Sequence, residues 1–344
     1  MNLYTVKITK NKMMNTKSTF KAYRVKEVDG QYINAIEEMP IESLAKGEVL
    51  IKVQYSSLNY KDALSTIGNK GVTRNYPHTP GIDAAGVVES SQSDLFKVGD
   101  PVIVTSYELG MNHPGGFAEF IKVPETWVVP MPENMNARQA MQYGTAGFTA
   151  ALSVYRLLNN GQKPEMGPVV VTGALGGVGN IACQILNKLD FEIIAANYEL
   201  APESEIQKIG ASSQIDRSVS DDLSGRPILK SQWAGAIDVV GGNTLTTMLK
   251  GCQPLGNVTT CGNIGSGELE MTVFPFILRG VSLLGIDSQN CPMEIRRNVW
   301  NLLADKWHID FNTELIKETT LGSLESHIKL MLDKKSKGRV IIKL

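Results

Sequence analysis

At 344 residues with 42% hydrophobic content, the chain is long enough for about two domains of roughly 150 residues each, both with a real core. A formal net charge of −1 gives no electrostatic case for nucleic acid or an anionic membrane surface. No run approaches a membrane span, the start lacks the apolar core of a signal peptide, and a cytoplasmic protein is expected.

Residues 1–18, rich in Lys, Asn, Thr and Met, read as a mobile extension. From Phe20 to about Val129 the text is strand-like and punctuated by glycine: Lys21–Lys26, Glu48–Tyr55, Gly86–Glu89, Val102–Thr105, Phe117–Val123 and Trp127–Val129. Repetitive strand spacing with few helical stretches predicts a partly open β-barrel. After Pro132 the pattern turns helical, over Ala137–Tyr143 and Phe148–Leu158, and from Pro168 strands and helices alternate. Glu192–Ala196, Ala236–Val240, Gly256–Thr260 and Ser282–Asp287 complete a doubly wound parallel sheet. Helices over Glu294–Lys306 and Leu324–Asp333 precede a last strand, Arg339–Leu344, which is free to return to the first domain. Cys183, Cys252, Cys261 and Cys291 form no CxxC pair, so ordinary reduced thiols are expected rather than a zinc lobe or disulfide framework.

The segment Val169-Val-Val-Thr-Gly-Ala-Leu-Gly-Gly-Val-Gly179 carries the most chemistry. A short uncharged β-branched run is a strand covered on both faces. Gly173, Gly176, Gly177 and Gly179 then allow a tight turn and close backbone approach, and Asn180–Leu189 reads as a helix. Ile181, Ala182, Ile185, Leu186 and Leu189 share its buried face. A pyrophosphate fits the N-terminus of such a helix, where free N–H groups and the dipole favour anions.

Several ordered motifs join that loop: Ser57-Leu-Asn-Tyr-Lys-Asp62, Pro80-Gly-Ile-Asp-Ala-Ala-Gly86, Val98-Gly-Asp-Pro-Val102, Gly115-Gly-Phe-Ala-Glu119 and Gly144-Thr-Ala-Gly-Phe-Thr149. Together they resemble the zinc-independent medium-chain dehydrogenase/reductase superfamily, whose glycine loop is GxxGGVG. The Asn-Tyr-Lys-Asp box, Trp233-Ala-Gly-Ala-Ile-Asp238, Pro275-Phe-Ile-Leu-Arg279 and Gly338-Arg339 are similar to its acryloyl-CoA reductase branch, also described as YhdH/YhfP-type quinone oxidoreductases. The resemblance covers residues 20–344. It implies an α/β architecture: a GroES-like β-barrel catalytic domain (19–140) interrupted by a Rossmann NADP-binding domain (141–288), with 289–344 returning to the first. It also implies bound NADP(H) and a homodimer.

Zinc-dependent relatives place Cys at the position of Asn59 and Gly-His-Glu at Gly81-Ile82-Asp83. Neither an amide nor an isoleucine is a normal zinc ligand, so no metal is expected. Without that Lewis acid, reduction of an activated double bond is favoured over alcohol oxidation. The expected reaction is hydride transfer from NADPH to the β-carbon of an α,β-unsaturated thioester, acryloyl-CoA to propionyl-CoA. The rivals are a quinone or small-enone reductase and a nucleotide-binding protein without turnover.

Asn59 and Tyr60 are the catalytic candidates, since such a site needs positioned donors more than a strong base. The resemblance places Tyr60 against the cofactor too. Whether Tyr60 donates a proton, orients an oxygen or only packs on the nicotinamide stays open. Leu175, Gly176, Gly177, Val178, Asn197, Glu199, Arg217, Asn263, Ser288 and Arg339 complete the implied cofactor contacts. At the ribose, Glu199 looks like a carboxylate for an NAD 2′-hydroxyl, whereas the neutral Asn197 and the basic Arg217 suit a 2′-phosphate. NADPH is expected to be preferred, less strongly than in relatives with arginine at position 199. Arg339 reads as a cofactor or cleft contact, with a surface ion pair as the alternative. Asp62 reads as an ion-pair partner of Lys61 or the cap of a helix starting at Ala63, and Asp83, His78 and His113 as structural. Lys70 and Arg74 are open between coenzyme A phosphates and a solvated loop.

Overall fold

The computed structural model describes residues 19–311 and 315–344; the expected extension over 1–18 lies outside them. The chain opens with a hairpin, Thr19–Val28 against Gln31–Pro40, paired along its whole length around Asp29 and Gly30. Both turn residues have positive φ, the geometry that matches the twist of the flanking strands.

A seven-stranded sheet follows in the order Ile316–Thr320, Arg339–Lys343, Val49–Ser57, Asp83–Ser91, Pro101–Thr105 and Val129–Pro130, with Phe120–Val123 also on Val49–Ser57. The N-terminal half of Val49–Ser57 takes Phe120–Val123 and its C-terminal end takes Arg339–Lys343, so the sheet curls into the expected barrel. Val49, Ile51 and Val53 alternate inward and pack on Val88, Val102, Val104 and Ile121, the period of two that a one-sided sheet requires. The final strand thus returns to the first sheet, as the sequence allows.

The second sheet has six parallel strands in the order Ser213–Ile215, Ile193–Ala196, Val169–Thr172, Trp233–Asp238, Cys252–Thr260 and Ser282–Gly285. This 3-2-1-4-5-6 order reverses direction beside Val169–Thr172, the crevice where such sheets bind ligands. Three helices position the site: α1 (Tyr60–Ser65), α2 (Ala137–Asn159) and α3 (Gly177–Lys188). α2 is broken at Gly144 (φ 52°, ψ −156°), which accounts for the two separate helices read from sequence. α3 starts three residues before the expected Asn180, because Gly177 and Gly179 are poor helix formers that nevertheless form its first turn. All four cysteines are free. Among the described residues no helix is long and apolar enough to cross a membrane.

His78 behaves as a structural residue. Its backbone exchanges two 2.8 Å hydrogen bonds with Val25, its ring stands edge-on to Tyr76, and burial pulls its pKa down to about 4. The folded state therefore keeps a neutral imidazole that the unfolded chain protonates near pH 6.5. Its contribution to stability is present above that pH and is lost as pH falls through about 4, a change on the order of 2–3 kcal/mol. Urea denaturation from pH 7 to 4 is expected to show this loss and His78→Gln to flatten it; an equally steep decline in the variant would assign the loss to other groups.

Candidate active site

The strand Val49–Ser57 delivers Leu58 and Asn59 to the crevice, and Asn59, in extended conformation, is the N-cap of α1. Tyr60 is the first helical residue and is 40% exposed, whereas Asp62 beneath it is fully buried. The Oδ2 of Asp62 accepts from the Asn59 N–H (2.8 Å), and its Oδ1 accepts from the N–H groups of Gly81 (3.0 Å) and Ile82 (2.9 Å). Burial and the neighbouring Asp83 push Asp62 up to about 7, against three backbone donors that favour the anion. The helix begins at Tyr60 and not at Ala63, so Asp62 secures the first turn from inside. Nor is it the partner of Lys61, which donates to Gln289 Oε1 at 2.8 Å. Burial draws the Lys61 ammonium below its usual range, opposed by Asp62, Asp287 and Glu108.

Asp83 is a buried hub. It accepts from Ser57 Oγ (2.5 Å), Asn59 Nδ2 (2.7 Å), Thr145 N (2.9 Å) and Thr145 Oγ1 (2.6 Å). The Arg339 guanidinium lies 3.9 Å from it and donates to Ser57 Oγ (2.8 Å), Asn59 Oδ1 (3.2 Å) and the Gln142 carbonyl (3.2 Å). Arg339 is only 5% exposed, which rules out the surface ion pair. Gly144 is required here: a Cβ would stand 2.4–2.6 Å from Ser57 Oγ, Asp83 Oδ2 and Arg339 Nη2. Asn59 spends its amide on this hub, which makes it a holder of the loop, while Tyr60 alone of the pair faces outward.

The glycine loop abuts the same arginine, since a Cβ on Gly177 would lie 3.6 Å from Arg339 Cδ. Gly176 caps α3, whose first N–H groups have no partner within the helix. Gly179 admits no side chain, with the Gly173 carbonyl 2.3 Å from where its Cβ would stand. The Leu175 N–H donates to Asn197 Oδ1 at 3.2 Å, and the buried Asn197 Nδ2 lacks a partner. Open backbone donors, small residues and an orphaned buried amide fit a pyrophosphate with its ribose.

Asn197 and Glu199 follow the strand Ile193–Ala196, and Arg217 follows the neighbouring strand Ser213–Ile215, so the sequence candidates meet at one edge. Arg217 sits 4.7 Å over the ring of Tyr198 and pairs with Asp221 at 3.3 Å; Glu199 is exposed. Tyr198, 74% exposed, went unread in the sequence, although an aromatic beside the strand end is the available signal for a base or ribose platform. Ser288 accepts from Thr149 Oγ1 at 2.8 Å, and Asn263 is exposed beyond Cys252–Thr260. Lys70 is not simply solvated: it pairs with Glu27 (3.3 Å) and lies over the rings of Tyr32 and Tyr76. Arg74 is exposed. His113 packs edge-on to Trp127.

Family models agree with this geometry. One described as the alcohol dehydrogenase GroES-like domain matches residues 45–133, and one described as zinc-binding dehydrogenase matches 177–305. The chain is 46% identical over 310 residues to the putative quinone oxidoreductase YhfP of Bacillus subtilis, covering 90% of this chain and 94% of that protein. It is 39% identical to the acrylyl-CoA reductase AcuI of Ruegeria pomeroyi, covering 92% and 96%. The structure of Bacillus subtilis yhfP with NAD bound superposes with a TM-score of 0.92 at 43% identity, over 95% of this chain and 100% of that one. The yhdH oxidoreductase of Salmonella enterica in complex with NADP superposes at 0.91 with 36% identity, over 94% and 99%.

Proposed function

Because the chain belongs to the medium-chain dehydrogenase/reductase superfamily, in the branch of YhfP and the acrylyl-CoA reductases, we propose that it reduces acryloyl-CoA to propionyl-CoA with NADPH. The observation that carries this reading is Arg339. One buried guanidinium joins the loop that presents Tyr60, the Asp83 hub and the glycine loop, so cofactor and substrate meet over one rigid floor. In this reading residues 141–288 hold the cofactor and 19–140 with 289–344 hold the substrate.

When bound, NADPH supplies the hydride. Leu175, Gly176, Gly177 and Val178 would hold the pyrophosphate, and Asn197 and Arg217 would hold the ribose 2′-phosphate. Asn263 and Ser288 would contact the nicotinamide half. As hydride reaches the β-carbon, negative charge builds on the thioester oxygen, and a fixed hydrogen-bond donor is worth most there. The Tyr60 phenol is that donor, held at the start of α1 by the Asn59–Asp62 turn. Asn59 positions Tyr60 through its bonds to Asp83 and Arg339.

Tyr60→Phe is accordingly expected to lower turnover about tenfold to a hundredfold, and Tyr60→Ala more. Full turnover in the phenylalanine variant, with cofactor affinity lost only in the alanine variant, would leave the ring as the functional part.

A quinone or small-enone reductase is the second reading, favoured by the higher identity to YhfP than to AcuI. Comparing acryloyl-CoA, an acrylate ester and a quinone as acceptors separates the two, since only the first draws on coenzyme A contacts. The reaction proceeds without metal in this account: Asn59 already serves Asp83 and Arg339, and exhaustive chelation is expected to leave the rate unchanged. The protein works in the cytoplasm as a homodimer. The sheet edge Ser282–Gly285, with exposed Leu255 on the adjacent strand and exposed Ile277 and Leu278 on the helix before it, suits a second copy.

A further inference from the structure

Arg296, on the helix Met293–Ala304, is fully buried yet forms no ion pair among the described residues. Its Nη1 donates to the carbonyl (3.1 Å) and hydroxyl (3.0 Å) of Thr105, and its Nη2 to the carbonyls of Ser288 (2.9 Å) and Gln289 (3.1 Å). Thr105 ends a barrel strand, and Ser288 and Gln289 follow the last strand of the parallel sheet, so a single side chain donates to both walls of the crevice. The guanidinium also lies over the rings of Tyr107 (4.4 Å) and Phe148 (4.8 Å), and a planar fork can combine such contacts with hydrogen bonds in two directions where a compact ammonium does not.

The bonded segment is held under tension. Ser106 and Tyr107 have φ of +65° and +51°, which non-glycine residues adopt only where their surroundings impose it. The Tyr107 N–H donates to the Gln289 carbonyl at 3.3 Å, and Ser106 meets Thr145 Oγ1 at 2.9 Å. Gln289 in turn holds Lys61, the residue after Tyr60, through its side chain.

We propose that Arg296 is a positioning residue that fixes the separation of the two crevice walls and, through Gln289 and Lys61, the placement of Tyr60. The inference deepens the reductase reading and rests on it. Arg296 touches neither reactant; it acts through the carbonyls it holds. Loss of its planar fork lets Ser288 and Gln289 drift from Thr105, and Lys61 loses its anchor.

The test is a double-mutant cycle of Arg296→Lys and Gln289→Ala. The lysine keeps the charge but cannot donate to both walls while stacked, and the alanine removes only the Lys61 partner. Arg296→Lys is expected to fold, to lower kcat about tenfold or more, and to speed hydrogen exchange at the Tyr107 amide without substrate or NADPH present. Gln289→Ala is expected to lower kcat too, with the double variant no worse than the poorer single one, because both act along one path. Wild-type kcat in folded Arg296→Lys, unchanged exchange at Tyr107, or losses that multiply in the double variant would overturn the proposal. Should Arg296→Lys fail to fold, Thr105→Val takes its place in the cycle and the same results decide. Wild-type protein that does not bind NADPH in a fluorescence titration would instead sink the reductase reading.

Discussion

Arg339→Met is expected to cost more than a hundredfold in kcat/KM and to weaken NADPH binding in parallel. Among the described residues the guanidinium is the one cation bonded to the buried Ser57–Asn59–Asp83 cluster, and its hydrogen bonds run to Ser57, Asn59 and Gln142. Burial lowers its pKa while Asp83 and Asp62 raise it, and Asp83, 3.9 Å away, is the carboxylate that faces the cation. Removing one partner of a buried pair leaves the other charge uncompensated, at about 3–5 kcal/mol. Arg339→Lys is expected to rescue little, because an ammonium cannot reach the loop, the hub and α2 at once. Adding Asp83→Asn to Arg339→Met is expected to restore melting temperature and not turnover, which separates the structural cost from the functional one. An Arg339→Met protein with wild-type NADPH affinity would remove this arginine from the cofactor site.

Arg217→Ala is expected to reduce catalytic efficiency with NADPH about thirtyfold to a hundredfold while changing that with NADH less than threefold, the scale of a lost charge-assisted phosphate contact. The structure tempers the preference expected of the wild type. Arg217 already pairs with Asp221, so a 2′-phosphate competes with a carboxylate for it, and the exposed Glu199 adds repulsion. Glu199→Arg is therefore expected to sharpen the preference for NADPH. The relative that superposes at a TM-score of 0.92 was solved with NAD, which makes this the discriminating experiment for cofactor choice. Higher efficiency with NADH in the wild type would make Glu199 the ribose partner and refute the assignment.

Much of the architecture was legible because it rests on local signals. The β-branched run Val169–Thr172, its glycines and the α3 face form a unit whose period and turn chemistry agree, and the alternation of Val49, Ile51 and Val53 marks a barrel wall. The strand Gln31–Pro40 escaped notice because Asn34, Glu37 and Glu38 make it polar, although Asp29-Gly30 is a hairpin signal. Asp62 reads in the sequence as a partner of Lys61 or a helix cap; the structure shows the cap, one turn earlier through the Asn59 N–H, and adds Gly81 and Ile82, contacts across a distance that no local pattern specifies. Tyr198 and Arg296 carry no decisive local signal for the same reason: their meaning comes from Arg217, just past the neighbouring strand, and from Thr105 at a barrel strand end and Ser288 beyond the last strand of the parallel sheet. Arg339 was singled out as a cleft residue, but only the fold reveals that it also underlies the loop bearing Tyr60.

The central claim is hydride delivery to the β-carbon of an unsaturated thioester. It is tested most directly by incubating the purified enzyme with acryloyl-CoA and NADPH carrying deuterium on the transferred face of the nicotinamide, with a chelator present. Mass spectrometry of the product is predicted to show one deuterium at C3 of propionyl-CoA and a solvent-derived hydrogen at C2. Unchanged acryloyl-CoA alongside rapid reduction of a quinone by the same preparation would contradict the account.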